Sequence, residues 1–201
     1  VPGSAGTTKG VCIMSLGGKM FGAGRERIPN IAFRMMSLTM KVHDLFKEVD
    51  TLIEDFGIEE GYTVVDYGCG PGRYVQKASF LVGPTGRIYA ADIHKLAMEK
   101  VQNLMKKHNL ENVTPVLINC YSSAIESNAA DVVYALDMFH MIKEPNSLLA
   151  ELNRLTKTDG FLFIDDGHQS RTATIDKITG SGQWEIVDEK KRYLQCKPIK
   201  K

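Results

Sequence analysis

The sequence predicts an α/β fold built on a doubly wound, mostly parallel sheet with helices on both faces. Five short apolar runs alternate with helical segments of about 10–15 residues, which is the spacing of right-handed βαβ units. The runs do not alternate with polar residues, as expected of strands covered on both faces. Two further runs flank a charged tip at 188–192 and predict an antiparallel hairpin. Together these patterns predict a Rossmann-like sheet that ends in a hairpin.

Composition and charge narrow the function. The chain has 201 residues, 43% hydrophobic and 24% charged, which suggests one ordered domain with a terminal extension. A net charge of +1 gives no support to nucleic-acid binding. No apolar run reaches the ~20 residues of a membrane span, and no signal-peptide core is found. The cysteines lie far apart, which predicts reduced thiols in a cytoplasmic protein and no zinc site; they are Cys12, Cys69, Cys120 and Cys196.

The amino-terminal part differs from the rest of the chain. Residues 1–27 are glycine-rich, which predicts a flexible segment. Residues 28–57 are predicted to form a helical lid or cap, because a helical apolar pattern extends from 31 to 56 and Gly57 is a good C-cap. The first half of this helix is unusually apolar, and it fits either a packed core helix or a lid over an apolar or aromatic acceptor. Its apolar residues are Phe33, Met35, Met36, Leu38 and Met40.

Residues 58–201 are predicted to form the sheet domain. Helices are expected from 72 to 82, from 94 to 108 and from 146 to 156. The segment between the fifth strand and the hairpin leaves little room for an inserted substrate domain. Ligands of such sheets bind outside the carboxyl ends of the strands, where this chain carries its glycines and acids. Strands are expected at 62–66, 87–92, 113–118, 131–136 and 161–164, with the hairpin at 184–187 and 193–196.

A glycine-rich turn, VVDYGCGPGR, follows the first strand. Gly68 and Gly70 allow close approach of a ligand because they lack a Cβ atom. Pro71 suits the first turn of a helix, whose amino terminus attracts a carboxylate or a phosphate. Asp66 suits an ammonium group better than a pyrophosphate. A dinucleotide fingerprint would require glycine where this chain has Arg73, which weakens the case for NAD.

A second acid, Asp92, ends the second strand at the same predicted edge of the sheet. A carboxylate there can accept hydrogen bonds from two neighbouring ribose hydroxyls. Either acid alone could instead be a structural carboxylate, such as a helix N-cap. With the glycine turn between them, Asp66 and Asp92 point to one ligand site.

These motifs resemble the class I S-adenosylmethionine-dependent methyltransferases, in particular the small single-domain members related to the ubiquinone/menaquinone methyltransferases. The family's terminal antiparallel strands correspond to the predicted hairpin. The resemblance extends from about Leu45 to Lys197. Its most specific pieces are VVDYGCGPG at 64–72, the acid at 92, ADVVYALDMFH at 130–140 and LLAELNRLTKTDGFL at 148–162.

The resemblance implies S-adenosylmethionine as the cofactor. Asp92 would hold the ribose hydroxyls and Ile93 would pack against adenine. The adenine amine would be bound after the third strand by Asn119, Cys120 or Tyr121, which the sequence does not distinguish. Asp137 would flank the ammonium group or the methyl donor. The methionine part would be held by Asp66, Tyr67, Gly68, Cys69 and Gly70.

The resemblance further implies methyl transfer to a small molecule by in-line displacement, a reaction that need not use a general base. No catalytic residue is assigned, and the candidates for the substrate site are His140, Asp166 and His168. No metal site is assigned, although the acids at 137, 165 and 166 follow neighbouring strands, where catechol-type enzymes bind Mg²⁺. Two other functions stay open: a nucleotide-dependent oxidoreductase and a non-catalytic S-adenosylmethionine-binding module.

Overall fold

The computed structural model describes residues 29–46 and 51–200. The predicted flexible segment 1–27 lies outside the described residues. The helices are α1 (Asn30–Phe46), α2 (Val75–Val82), α3 (Lys95–His108), α4 (Pro145–Leu155) and α5 (Arg171–Gly180), with short 3-10 turns at Thr51–Phe56 and Phe139–Met141. The strands are β1 (Thr63–Tyr67), β2 (Arg87–Asp92), β3 (Val113–Leu117), β4 (Ala130–Ala135), β5 (Thr156–Ile164), β6 (Trp184–Glu189) and β7 (Leu194–Pro198).

The seven strands form one mixed sheet in the order β3-β2-β1-β4-β5-β7-β6. Strands β1 to β5 are parallel, whereas β7 runs antiparallel to both β5 and β6. The strand order changes direction at β1, which has β2 on one side and β4 on the other. Such a switch point opens a crevice at the carboxyl ends of the strands. The predicted Rossmann-like sheet with a terminal antiparallel hairpin is confirmed.

Helices cover both faces of this sheet. Successive residues of a strand point to opposite faces, and two neighbouring residues of β1 belong to different hydrophobic clusters. Val65 packs in a cluster with Leu149 of α4. Val64 packs in the other cluster with Val75 of α2 and Phe56 of the first 3-10 turn. Asp66, two residues after Val64, therefore points to the face that α2 covers.

The predicted strands agree closely with the observed ones in β1 to β4, which shift by no more than one residue at either end. Strand β5 is longer than predicted, because it begins at Thr156, directly after α4 ends. Thr156 pairs with Ala130, and the register of the two strands shifts between Ala130 and Val132. The early part of β5 is polar and partly exposed, so its sequence carried no apolar strand signal.

Three helix boundaries differ from the sequence prediction. The helical pattern from 31 to 56 is two elements, α1 and a separate 3-10 turn, with 47–50 outside the described residues. Helix α2 begins at Val75 rather than at the predicted residue 72, because a turn occupies the intervening residues. Helix α5 was not predicted, since it buries only Thr174 and Ile178 and so lacks a strong apolar stripe.

Candidate active site

The glycine-rich turn after β1 has a backbone conformation that glycine adopts most readily. Gly68, Gly70 and Gly72 have φ values of 84°, 52° and 87°, in the left-handed region that a Cβ atom disfavours. A Cβ atom at Gly68 would lie 3.0 Å from Cγ of Met138, and one at Gly72 would lie 3.3 Å from Cδ2 of Leu104. A Cβ atom at Gly70 would meet no described atom within 4 Å. Gly68 and Gly72 therefore permit close packing, whereas Gly70 faces open space that a ligand can enter.

The backbone of this turn is fastened to the end of β2. The N–H groups of Gly68 and Cys69 donate to the carbonyl oxygen of Ala91 at 2.8 and 3.1 Å. The N–H group of Gly70 donates to Oδ2 of Asp92 at 2.9 Å. These bonds hold the turn against the neighbouring strand, so the two predicted cofactor-binding segments form one unit. The contact of this backbone with a cofactor stays a prediction.

Asp66 is a buried carboxyl group with an incomplete set of hydrogen bonds. Its side chain is 3% exposed, and among the described residues its Oδ2 atom has no hydrogen-bond partner. Burial raises the pKa of Asp66 to about 8, the Asp92 carboxylate adds to the rise, and the nearby Tyr134 hydroxyl opposes it. Desolvation of this kind destabilises the ionised form. A cation bound beside Asp66 would restore the ionised carboxylate.

Asp92 is also buried, but it has two backbone donors. Its Oδ1 atom accepts from the N–H of His94 at 2.7 Å, and its Oδ2 atom accepts from Gly70. Burial raises the pKa of Asp92, and the hydrogen bonds from Gly70 and His94 counteract the rise. Each carboxylate oxygen offers about two lone-pair sites, so both oxygens keep acceptor capacity. Ile93, which follows, is half-buried against the hydrophobic core.

The segment after β3 reaches this edge through a tight turn. Asn119 and Ser122 exchange two backbone hydrogen bonds of 3.1 Å, and Cys120 between them has a φ of 55°. Asn119 is exposed and Cys120 is half-buried. The Tyr67 hydroxyl, at the end of β1, donates to the carbonyl oxygen of Tyr121 at 2.8 Å. The structure thus links the ends of β1 and β3, and the partner of the adenine amine stays a prediction.

The loops after β4 and β5 lie together. The N–H group of Asp137 donates to Oδ1 of Asp165 at 2.8 Å. The rings of His140 and His168 meet edge to face at 4.8 Å between centroids, and Nε2 of His168 lies 4.0 Å from Oδ1 of Asp137. Burial raises the pKa of Asp165 to about 6. The structure therefore groups Asp137 with the two histidines, and its predicted position beside the cofactor is not tested.

Asp166 is held differently from these residues. Its two carboxylate oxygens accept from Nε of Arg171 at 3.1 and 2.8 Å. Arg171 also donates to the backbone carbonyl oxygens of Lys190 and Lys191 at the hairpin turn. Through these contacts Arg171 connects the end of β5 to the hairpin, so the ion pair has a structural role. A contact between Asp166 and a substrate stays a prediction.

Sequence reasoning missed two residues at this edge. Tyr134 of β4 is fully buried beside Asp66. His94 is buried, caps α3 by accepting from the N–H of Leu96, and stacks on Phe33 of α1 with ring centroids 4.4 Å apart. Its position just after Asp92, at the start of an amphipathic helix, was a signal for a capping residue. Nothing in the sequence pairs it with Phe33.

A cavity of about 300 Å³ opens elsewhere, near the amino-terminal ends of β4 and β5. Tyr62, Asp131 and Gly160 are among its lining residues. Ligands of open α/β sheets bind at the opposite, carboxyl end, where the buried carboxyl groups of Asp66 and Asp92 lie. The carboxyl edge is therefore the candidate site.

Within the described residues, no helix is both long and apolar enough to cross a membrane.

Comparison with known proteins assigns the family. A family described as a methyltransferase domain matches residues 58–196. The ubiquinone/menaquinone biosynthesis C-methyltransferase UbiE of Hahella chejuensis is 27% identical over 128 residues, which cover 63% of this chain and 51% of that protein. This chain thus spans about half the length of such curated relatives. The dinucleotide-dependent oxidoreductase finds no support in these matches.

Solved structures agree on the fold. A SAM-dependent methyltransferase from Aquifex aeolicus has a TM-score of 0.72 at 21% identity, with 83% of this chain and 97% of that chain covered. A putative S-adenosyl-L-methionine-dependent methyltransferase from Methanococcus maripaludis has a TM-score of 0.70 at 15% identity, with 90% and 98% covered. The matched family and the shared fold show that this chain belongs to the class I S-adenosylmethionine-dependent methyltransferases.

Proposed function

We propose that this chain transfers the methyl group of S-adenosylmethionine to a small-molecule acceptor by in-line displacement. The observation that carries the proposal is Asp66, a carboxyl group 3% exposed whose Oδ2 atom lacks a partner among the described residues. Asp66 lies in β1, and Gly70, whose Cβ position meets no described atom, follows the same strand. The family to which the chain belongs and the name of its curated relatives support the reaction.

Asp66 binds the ammonium group of the cofactor in this proposal. A cation within about 4–6 Å of a carboxyl group favours its ionised form, and it would lower the pKa of Asp66 from its raised value of about 8. Cofactor binding below pH 8 is therefore coupled to release of a proton. The ionised carboxylate attracts a cationic methionine moiety and repels a phosphate.

Asp92 binds the ribose hydroxyls with the acceptor capacity that remains beside Gly70 and His94. The half-buried Ile93 lies next in the chain, where it packs against adenine. The tight turn after β3 offers Asn119 and Cys120 at the same edge of the sheet. These assignments match the order of the strands, because β1, β2 and β3 are neighbours.

The bound cofactor supplies an electrophilic methyl group on a sulfonium centre. The protein contributes alignment of donor and acceptor and exclusion of water. Alignment of this kind accounts for about 7–11 kcal/mol of the barrier in favourable intramolecular reactions. No general base is needed for an acceptor that is already nucleophilic, so none is assigned. His140, Asp166 and His168 stay candidates for contacts with the acceptor.

Helix α1 acts as the lid in this proposal. Phe33 is buried and stacks on His94, two residues after Asp92, so α1 lies beside the predicted ribose site. Met35 and Leu38 are 64% and 62% exposed. Exposed apolar side chains next to a cofactor site favour an apolar or aromatic acceptor. In this proposal residues 28–57 are the lid or cap segment, of which α1 lies beside the ribose site, and residues 58–201 are the methyltransferase domain.

The reaction takes place in the cytoplasm in this proposal. Three cysteines in the described part of the chain are free, namely Cys69, Cys120 and Cys196. Free thiols are characteristic of reducing compartments. The fourth, Cys12, lies outside the described residues.

The test is a calorimetric titration with S-adenosylhomocysteine, the demethylated product, which carries the same ammonium and ribose groups. The variants are Asp66→Asn and Asp92→Asn, and the matched control is Asp159→Asn, an exposed acid of β5. Each site variant is expected to bind at least about tenfold more weakly, since hydrogen bonds to charged groups contribute about 1.5–3 kcal/mol. The control should bind like the original chain.

Turnover is measured separately with methyl-labelled S-adenosylmethionine and a mixture of small-molecule acceptors. Label in a product supports the full proposal. Binding of the product analogue without label transfer to any acceptor would favour a non-catalytic binding module. No heat of binding in the unmodified chain would refute the cofactor assignment itself.

A further inference from the structure

Two histidines and one aspartate converge where β4 and β5 end. Asp137 follows β4, His140 lies in the 3-10 turn behind it, and His168 follows β5. Each offers a ligand atom, and these atoms all lie within 4.8 Å of one another. The set is called the His-His-Asp cluster below. Asp137 and His140 share the loop after β4, whereas His168 comes from the loop after β5, so the assembly of the cluster depends on the fold.

The two loops are held in place by the sheet. Strands β4 and β5 pair in parallel up to Ala135 and Ile164, and the Asp137 N–H group donates to the Asp165 carboxylate just beyond them. Gly167 has a φ of 54°, and a Cβ atom there would overlap the His140 ring. The close packing of Gly167 on His140 therefore helps to bring His168 beside it.

Two of the three side chains are accessible to a ligand, whereas the Nδ1 atom of His140 is buried. The side chains of His168 and Asp137 are 82% and 57% exposed. His140 is half-buried, and its Nδ1 atom has no hydrogen-bond partner within the described part of the chain. Imidazole nitrogens are the commonest metal ligands in proteins.

The geometry points to a divalent transition-metal site formed by Asp137, His140 and His168. Two imidazoles and one carboxylate suit Zn²⁺, Fe²⁺, Co²⁺ or Ni²⁺, whereas Mg²⁺ and Ca²⁺ prefer oxygen ligands alone. A tetrahedral ion with bonds near 2.0–2.1 Å keeps its ligand atoms about 3.3 Å apart. The exposed side chains of Asp137 and His168 can close the remaining distance by small rotations.

The site is open and well placed. Three protein ligands leave at least one coordination position free, as in catalytic metal sites. The cluster lies at the carboxyl edge of the sheet, where ligands of this fold class bind. The ion would bind an oxygen or nitrogen atom of a small molecule at that edge; only the identification of that molecule as the methyl acceptor rests on the proposed function.

The test is a titration of the full, tag-free and metal-stripped chain with Co²⁺, followed by visible absorption and calorimetry. The variants are His168→Gln and Asp137→Asn, whose exposed side chains contribute little to folding. The control is His108→Gln, on α3. One Co²⁺ is expected per chain, displaced by Zn²⁺. Loss of one ligand should weaken binding at least about tenfold, since even outer partners of metal ligands contribute 10–100-fold.

Retention of the native melting temperature in the variants, with weakened Co²⁺ binding and an unchanged control, supports the site. Absence of stoichiometric Co²⁺ binding, or equal affinity in both variants and the original chain, overturns it. Saturation by Mg²⁺ with exclusion of Co²⁺ overturns it as well. Titration of the metal-stripped chain with S-adenosylhomocysteine separates the two proposals, because cofactor binding through Asp66 does not require the ion.

Discussion

Replacement of the buried Asp66 by asparagine should change how stability depends on pH. The folded-state pKa of about 8 lies far above the ordinary value of 3.8, so the folded chain holds the proton more tightly than the unfolded chain. The contribution of the protonated carboxyl to stability is fully present below about pH 4. It is lost progressively as the pH rises to 8. Asparagine does not titrate, so the Asp66→Asn variant should not show this decrease in stability as the pH rises.

The magnitude follows from the difference between the two pKa values. Each pKa unit corresponds to 1.36 kcal/mol, and between pH 5 and pH 8 the loss at Asp66 grows by about 4 kcal/mol. Relative to the original chain, Asp66→Asn should therefore gain about 4 kcal/mol in free energy of unfolding over this interval. Asp92 is present in both proteins, so its own raised pKa cancels in the comparison to first order.

The measurement is urea unfolding followed by circular dichroism at several pH values between 5 and 8, with Asp159→Asn as control. A parallel pH dependence of the original chain and Asp66→Asn would refute the buried, ionisable state of this carboxyl. A second series contains saturating S-adenosylhomocysteine. The ligand ammonium should keep Asp66 ionised and flatten the pH profile of the original chain, and an unflattened profile would contradict an ammonium contact.

Three further substitutions test the packing around the site. Gly72→Ala should lower the free energy of unfolding by about 1–3 kcal/mol, because it places a Cβ atom on a left-handed backbone against α3. The control Gly180→Ala, with no described atom within 4 Å of its Cβ position, should be neutral or slightly stabilising. Equal urea midpoints of the two variants would contradict this prediction. Phe33→Ala should remove the stack on His94 and speed hydrogen exchange in α1 but not in the sheet, and unchanged exchange would argue against the contact as an anchor. Arg171→Ala should lower the free energy of unfolding by about 1–3 kcal/mol, because it removes the ion pair with Asp166 and the hydrogen bonds to the hairpin carbonyls. Thermal unfolding measures this effect. A variant that unfolds like the original chain but loses activity would contradict the structural role of Arg171.

Local sequence patterns predicted elements whose signals are local. Strands β1 to β4 are short apolar runs bounded by glycine, asparagine or aspartate, and the structure reproduces them within a residue. Helix α5 was not predicted, because few of its side chains are buried. Ser170, which accepts from the N–H of Ala173, is nevertheless a regular capping signal. The polar start of β5 was not predicted to be a strand, because it is identified by its pairing with Ala130 and not by apolar side chains.

The sequence also located the main acids of the site but not their states. Asp66 and Asp92 were predicted to meet at one edge because parallel strands end together. The chain alone does not reveal that Asp92 accepts from two backbone N–H groups, whereas one oxygen of Asp66 has no hydrogen-bond partner among the described residues. That difference depends on atoms of β2, α3 and the glycine turn, which are distant in sequence.

By itself, the order of residues determined the α/β class, the mostly parallel sheet with its terminal hairpin, and the family. These depend on periodicity, on glycines that only certain turns require, and on acids at strand ends. Only the tertiary structure decided which side chains share a position in space. His140 and His168 become neighbours because β4 and β5 pair side by side, and Phe33 reaches His94 because α1 packs against the start of α3. Such contacts are set by packing between distant segments, and a one-dimensional pattern carries no record of them.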